Sequence, residues 1–183
     1  MTSSERRIVL VTGPPASGKT TLAGPLAEAL HFTHLAKDEI KESLFTTLRG
    51  RAGDVRFSRR LSTAATDLLW VLAPHFPGVV LEANFRTQRP EERAKLSALL
   101  NDPGTSLVEV HCRLPLEEAA RRFAERARNE RHHPAHVLKE MSLAQLAEYA
   151  EPFALTPVIE LDTTHPVDLT ALTSQIQSAL RTG

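Results

Sequence analysis

Residues 8–21 carry the feature that most constrains this chain, an apolar run that leads directly into a glycine-rich turn. The run Ile8–Val11 is short and rich in β-branched residues, which favours a buried strand. The next residues, GPPASGKT at 13–20, match G-x-x-x-x-G-K-[ST], the spacing of a phosphate-binding loop. Backbone N–H groups of such a loop surround phosphate oxygens, and the following helix points its positive end at the same anion. The stretch therefore predicts a strand, a phosphate cradle and a helix in succession.

The chemistry of this loop indicates a nucleoside triphosphate, most simply ATP, together with Mg²⁺. Lys19 is expected to reach the β- and γ-phosphates, and Thr20 to offer its hydroxyl to the metal. We expect the turn and the start of the helix to contact the nucleotide. The residues concerned are Gly13, Pro14, Pro15, Ala16, Ser17, Gly18, Lys19, Thr20 and Thr21. The loop alone does not indicate which reaction follows binding.

Length, charge and cysteine content restrict the domain number and the classes of protein that the chain can belong to. The 183 residues suit a single domain over positions 1–183. Basic and acidic residues both number 22, and this zero net charge argues against a protein that coats nucleic acid through bulk charge. The one cysteine, Cys112, excludes an internal disulfide, and we expect it to be buried and inert. No apolar run approaches the roughly 18 residues of a membrane span, so we expect a cytoplasmic protein without a membrane partner.

Strand-like and helix-like segments alternate along the chain. The predicted strands are 8–12, 32–36, 79–83, 106–112 and 157–161. The predicted helices are 19–30, 39–48, 54–76, 90–100, 116–128, 135–149 and 168–180. This alternation predicts a three-layer α/β/α fold of the P-loop NTPase type, with a five-stranded parallel sheet and a helical lid at about 115–136. In such sheets ligands bind at the carboxyl ends of the strands.

Two acids fall at these strand ends. Asp38 follows the second predicted strand, where a carboxylate could accept the proton of a hydroxyl and orient its oxygen for phosphoryl transfer. A simpler interpretation is that Asp38 caps the helix at 39–48. Glu82 ends the apolar third strand, where an acid is costly unless it has a role, and we expect it to hold Mg²⁺ through water.

Other polar residues near these acids are candidates for the acceptor and the phosphates. Lys41, Asn84 and Arg86 are expected, with Asp38, to bind the acceptor. Arg122 and Arg126 share a helix face in the predicted lid and are expected to act on the phosphate chain, with Arg122 also binding the nucleotide. Arg131 is a third candidate. The three histidines at 132, 133 and 136 have no cysteine nearby and favour a solvated lid over a zinc site, and Trp70 is expected in the core.

Four stretches together resemble the predicted-kinase (AAA-type) branch of the P-loop kinases. They are GPPASGKT at 13–20, KDEIK at 37–41, VVLEANF at 79–85, and RFAER at 122–126 with RHHP at 131–134. That branch includes zeta-type toxins, polynucleotide 5′-hydroxyl kinases and chloramphenicol phosphotransferase. The resemblance implies ATP- and Mg²⁺-dependent phosphorylation of a hydroxyl, with Asp38 as base and Arg122 and Arg126 as lid arginines. The chain has Lys41 where the polynucleotide kinases have arginine, and Glu82 where they usually have aspartate.

Three functions remain open at this point. The first is a kinase that phosphorylates a hydroxyl of a metabolite or antibiotic, and zero net charge favours it. The second is a polynucleotide 5′-hydroxyl kinase, which the basic stretch at 56–60 keeps open. The third is a nucleotide-dependent regulatory module whose ATP hydrolysis is incidental, but such a module would not require Asp38.

Overall fold

One parallel sheet organises the protein. The computed structural model describes residues 5–129 and 132–182. The strands, in chain order, are β1 (Arg6–Thr12), β2 (Thr33–Ala36), β3 (Gly78–Glu82), β4 (Thr105–Arg113) and β5 (Val158–Asp162). They pair in parallel in the order β2-β3-β1-β4-β5, so β1 lies at the centre of the sheet. The predicted five-stranded parallel sheet is confirmed.

Helices cover both faces of this sheet. They are α1 (Lys19–Leu30), α2 (Lys37–Thr47), α3 (Val55–Leu72), α4 (Pro90–Leu100), α5 (Leu116–Arg128), α6 (Leu143–Ala147) and α7 (Leu169–Thr182). The helices α1 and α7 pack on one face, whereas α3 and α4 pack on the other. The three-layer prediction is therefore confirmed. No helix in the described ranges is long and apolar enough to cross a bilayer.

The alternation of side chains along β1 explains its continuous apolar sequence. Val9 and Val11 pack against α1 and α7, whereas Ile8 and Leu10 pack against α3 and α4. Successive side chains of a strand point to opposite faces, so a strand covered on both sides must be apolar at every position. The sheet thereby holds the carboxyl end of β1, where the glycine-rich loop begins, between two packed layers.

Three sequence-based predictions about helices are wrong. The helix predicted at 135–149 is reduced to α6, which begins only after Ser142. Ser142 and Gln145 form a capping box that starts the helix there, while Ala135 and His136 are held by tertiary contacts to α3 and α2. The residues from 137 to 142 form no regular element, and three of them, Val137, Leu138 and Met141, line a cavity.

The second error concerns the start of α2. Asp38 does not cap this helix, because α2 begins at Lys37 and Ala36 occupies the cap position. Asp38 lies in the first turn of α2, where a negative charge is favourable to the helix dipole. Its carboxylate makes no capping bond and is directed into the site described below. The predicted helix at 54–76 also ends earlier, at Leu72, before a 3₁₀ turn that contains Pro74.

Candidate active site

The loop between β1 and α1 has the backbone that its glycines permit. Gly13 has a φ of 129°, and a Cβ added there would lie 2.4 Å from the carbonyl oxygen of Cys112 on β4. Any side chain at position 13 would therefore push the loop away from the sheet. The Ser17 N–H donates to the Pro14 carbonyl at 3.1 Å, which closes the turn, and Gly18 caps α1 in the left-handed conformation. The predicted strand, turn and helix are confirmed as local structure.

Lys19 is folded over its own loop. The side chain is buried, and Nζ donates to the carbonyl oxygens of Gly13 at 3.0 Å and Pro14 at 2.6 Å. Burial lowers the pKa of Lys19 to about 8, although the nearby Glu82 and Asp38 favour its charged form. The ammonium group is thus held inside the loop, where it can exchange these carbonyl partners for phosphate oxygens.

The hydroxyl of Thr20 meets the acid at the end of β3. Thr20 Oγ1 donates to Glu82 Oε1 at 3.0 Å. Glu82 is buried, its Oε2 has no hydrogen-bond partner among the described residues, and burial raises its pKa. A hydroxyl and a carboxylate side by side are hard oxygen donors of the kind that hold Mg²⁺ beside nucleotide phosphates. These two residues therefore fit the predicted metal position.

Asp38 is held as a carboxylate by surrounding positive charge. Burial works to raise its pKa, but Lys37, His136 and Arg126 together outweigh burial and hold the pKa well below its usual range. The nearest of these is Lys37, whose Nζ lies 3.0 Å from Asp38 Oδ1. Asp38 is consequently ionised at neutral pH and available as a hydrogen-bond acceptor.

Two cavities meet at Asp38. The smaller, about 260 Å³, is lined by Ala16, Gly18, Lys19, Thr20, Thr21, Asp38, Glu82, Asn84, Arg122 and Arg126. The larger, about 760 Å³, opens between α2, α3, α4 and the segment 132–149, and Pro15 reaches it. Asp38, Asn84 and Arg126 line both cavities. Gly13, Pro14 and Ser17 form the loop beneath without lining either cavity.

The predicted lid arginines differ in their surroundings. Arg122 lines the smaller cavity, but its Nε donates to Glu118 at 2.7 Å. Arg126 lies over the Phe123 ring at 5.7 Å and has no ion pair within the described residues. Of these two arginines, Arg126 is therefore the one whose guanidinium is available to a ligand. Arg131 lies outside the described residues.

The remaining predicted residues line the larger cavity. Lys41 is buried there, with only 4% of its surface exposed. Arg86 lines it too, but its guanidinium donates to Glu148 at 3.0 Å and lies over the Tyr149 ring. Trp70 and Cys112 are buried as expected, and burial raises the pKa of the Cys112 thiol to about 11.

A buried polar network escaped prediction from the sequence. Thr12 Oγ1 donates to Glu109 Oε1 at 2.7 Å and lies 2.8 Å from His111 Nδ1. Glu109 also accepts the N–H groups of Phe153 and Ala154. The network attaches the segment at 150–154 to β4 and to β1, the strand that precedes the glycine-rich loop. The sequence does contain a signal for this network, a glutamate and a histidine two positions apart in an apolar strand. Side chains two positions apart on a strand point to the same face, which here is buried.

Comparison with known proteins supports the assignment of the fold. The 1.70 Å crystal structure of a "putative kinase" from Chloroflexus aurantiacus J-10-fl shares 25% identity and a TM-score of 0.79, over 97% of this chain and 99% of that one. A sugar kinase from Janibacter sp. HTCC2649 has 20% identity and a TM-score of 0.56, over 97% and 95% of the two chains. Shikimate kinase from Acinetobacter baumannii has 18% identity and a TM-score of 0.55, over 98% and 94%. The search of curated proteins finds no match.

A protein-family comparison covers most of the chain. The family described as AAA domain, AAA_33, matches residues 8–152, which run from β1 through the glycine-rich loop to the segment after α6. Together with the central loop and the parallel sheet, this match shows that the chain belongs to the AAA_33 family and has the fold of P-loop kinases.

Proposed function

We propose that this protein is an ATP- and Mg²⁺-dependent phosphotransferase that moves the γ-phosphoryl group of ATP to a hydroxyl of a small molecule. The observation that carries the proposal is the position of Asp38 on the wall shared by the two cavities. A base at this position can contact a hydroxyl in the larger cavity while facing the γ-phosphate in the smaller one. A regulatory module would need no acid at that junction.

The proposed reaction uses the residues around this junction. The acceptor oxygen attacks the γ-phosphorus, the bond from that phosphorus to the β–γ bridging oxygen breaks, and ADP leaves. Asp38 accepts the hydroxyl proton, as a carboxylate within reach of the acceptor can. Asn84 is the neutral hydrogen-bonding group on the same wall and would orient the acceptor.

Positive groups around the same junction would stabilise the charge of the transferring group. Lys19 would hold the β- and γ-phosphates, and Arg126 would contact the equatorial oxygens. Thr20 and Glu82 would hold Mg²⁺, which neutralises phosphate charge when bound. The helix α5, with the segment that follows it, would act as the lid, because it carries Arg126 and closes the larger cavity.

The small-molecule acceptor is preferred for reasons of shape. The larger cavity is walled by α2, α3, α4 and the segment 132–149, and its volume of about 760 Å³ suits a ligand of metabolite size. A polynucleotide 5′-end is the alternative acceptor, because basic side chains in the same cavity could contact its phosphates. The cytoplasm, where ATP is plentiful, is the location that we propose for this reaction.

Acceptor-dependent release of ADP tests the proposal. Purified protein would be supplied with Mg·ATP and a panel of sugars, polyols, hydroxy acids, nucleosides, antibiotics and a 5′-hydroxyl oligonucleotide. We expect ADP release to rise with a small molecule and to be lost in Asp38→Asn. Labelling of the oligonucleotide alone would support the polynucleotide kinase, and ATP binding without transfer to any acceptor would contradict both.

A further inference from the structure

Two lysines on α2 face the larger cavity from the same side as Asp38. Lys37 and Lys41 are four residues apart, so they share a face of the helix, and both line the cavity. Their charges are close enough that Lys37 contributes to lowering the pKa of Lys41. The two ammonium groups repel each other, and for Lys41 this repulsion is larger than the attraction of the nearby Asp38.

Lys41 is the member of the pair whose ammonium group makes no direct polar contact within the described residues. It is 4% exposed, and the described residues provide no hydrogen bond or ion pair to its ammonium group. Burial, followed by the charge of Lys37, lowers its pKa to about 8, although the nearby Asp38 and Glu42 favour its charged form. A buried ammonium without a partner is costly, which makes it a strong site for an anion that enters the cavity.

Three of the other acids that line the cavity, Asp67, Glu92 and Glu148, have cations of their own. Lys95 lies 2.6 Å from Asp67 and 3.2 Å from Glu92. Glu148 accepts from two arginines at the far side of the cavity. These three acids are therefore engaged elsewhere and do not pair with Lys41.

Lys37 connects this charge to the proposed base. Its ammonium lies 3.0 Å from Asp38 Oδ1, and this carboxylate is the group that must accept the hydroxyl proton. While Lys37 is paired with it, Asp38 is a poor base. An anion held between Lys37 and Lys41 would compete with Asp38 for Lys37.

We propose that Lys37 and Lys41 form a binding site for an anionic group of the acceptor, either a carboxylate or a phosphate. Binding of that group draws Lys37 away from Asp38 and leaves the carboxylate free to take the hydroxyl proton. The acceptor is then a hydroxyl compound that also carries an acidic group. The anion site itself stands independently of the proposed reaction, whereas the release of Asp38 rests on the proposed function.

Direct binding tests the anion site without turnover. The nucleotide site would be saturated with a non-hydrolysable ATP analogue and Mg²⁺, so that the glycine-rich loop is filled, and inorganic phosphate or propionate would be titrated by calorimetry. We expect one saturable site for at least one of these anions, weakened about tenfold or more in Lys41→Met and retained in Lys41→Arg. Lys95→Met, a lysine of the same cavity that is already paired, is the matched control and should bind as the wild type does. Absence of saturable binding by both anions, or binding unchanged in Lys41→Met, overturns the proposal.

Turnover with matched acceptors tests the substrate class. Glycerol, glycerate and glycerol 3-phosphate differ only in their acidic group, and we expect the acidic members to be preferred. In Lys41→Met that preference should fall about tenfold or more, through KM rather than kcat. Equal use of all three by the wild type overturns the anionic acceptor, although the phosphotransferase stands. Anion binding without transfer to any acceptor contradicts the phosphotransferase and leaves the anion site standing.

Discussion

Thr20 and Glu82 meet through a 3.0 Å hydrogen bond, although 62 positions separate them in the chain. The contact follows from the sheet, because β3 lies beside β1 and Glu82 is level with Val11, just before the loop. Parallel pairing thus brings the acid of one strand to the start of the helix that follows its neighbour. This relationship gives the first prediction.

Glu82→Gln should raise the Mg²⁺ concentration required for half-maximal activity by about 10–100-fold. The glutamine can still accept the bond from Thr20, so the geometry is kept while the negative charge is lost. Mg²⁺ titration of ADP release measures the effect, with circular dichroism as the check on folding. An unchanged Mg²⁺ requirement would show that Glu82 does not support the metal.

Nucleotide binding should weaken between pH 7 and pH 9, by about tenfold, because the pKa of Lys19 is about 8 in the free protein. Below that pKa the ammonium is charged and attracts phosphate, and above it this attraction is lost. Calorimetric titration with a non-hydrolysable ATP analogue at several pH values measures the decline. In Lys19→Arg, whose guanidinium does not titrate in this range, the decline should disappear. The same decline in Lys19→Arg would assign it to another group.

Asp38→Asn should leave ATP affinity within about twofold and reduce transfer by about 10²–10⁴-fold. The amide keeps the size of the side chain but cannot accept the hydroxyl proton. Single-turnover measurement of phosphoryl transfer separates this loss from binding. Transfer at the wild-type rate would remove Asp38 from the proposed mechanism.

In Lys37→Met, the acidic limb of the pH profile of kcat/KM should move to higher pH. Asp38 acts when ionised, and its pKa is held low by Lys37 more than by any other charge, so removal of this ammonium raises the pH below which activity is lost. The other charged groups around Asp38 are His136, Arg126, Lys19, Lys41 and Glu82. They remain in the variant, so the limb should move without disappearing. A limb that stays in place would indicate that Lys37 does not control Asp38.

Arg126→Ala should lower kcat by about 10²-fold or more, because a guanidinium aimed at the transferring group stabilises the transition state. Arg121→Ala is the matched control on the same helix. Arg121 is exposed and paired with Glu118 and Glu125, away from both cavities, and its loss should change kcat by less than about twofold. Equal effects in the two variants would argue for a general effect on α5.

Thr12→Val should reduce the free energy of unfolding by about 1–3 kcal/mol, because it removes the hydroxyl between Glu109 and His111 in a fully buried network. Urea denaturation measures this change. Glu160→Gln, which breaks a surface ion pair with Arg113, is the control and should cost less than about 1 kcal/mol. A loss in Thr12→Val no larger than in the control would mean that the network adds little to stability.

The sequence by itself determined the parts whose geometry is local. The strand, loop and helix at 8–30 follow from apolar β-branched residues, a glycine that permits the positive φ of the turn, and a second glycine that starts the helix. The parallel order of strands and helices followed from alternation, since connections in such folds are short and of one hand. Position after a strand was enough to select Asp38 and Glu82, because the carboxyl ends of parallel strands share one edge.

Only the tertiary structure decided which side chains are paired and which are available. Arg122 and Arg126 share a helix face, so their spacing does not distinguish them. Glu118 pairs with Arg122, whereas Arg126 has no ion pair within the described residues. The irregular segment at 137–142 had the pattern of a helix, but contacts made by the residues before it overrode the local preference. The role of Lys41 could be inferred only from its burial, because the sequence does not show whether a lysine is exposed to solvent or paired with an acid. These features depend on residues distant in the chain, so periodicity and spacing could not reveal them.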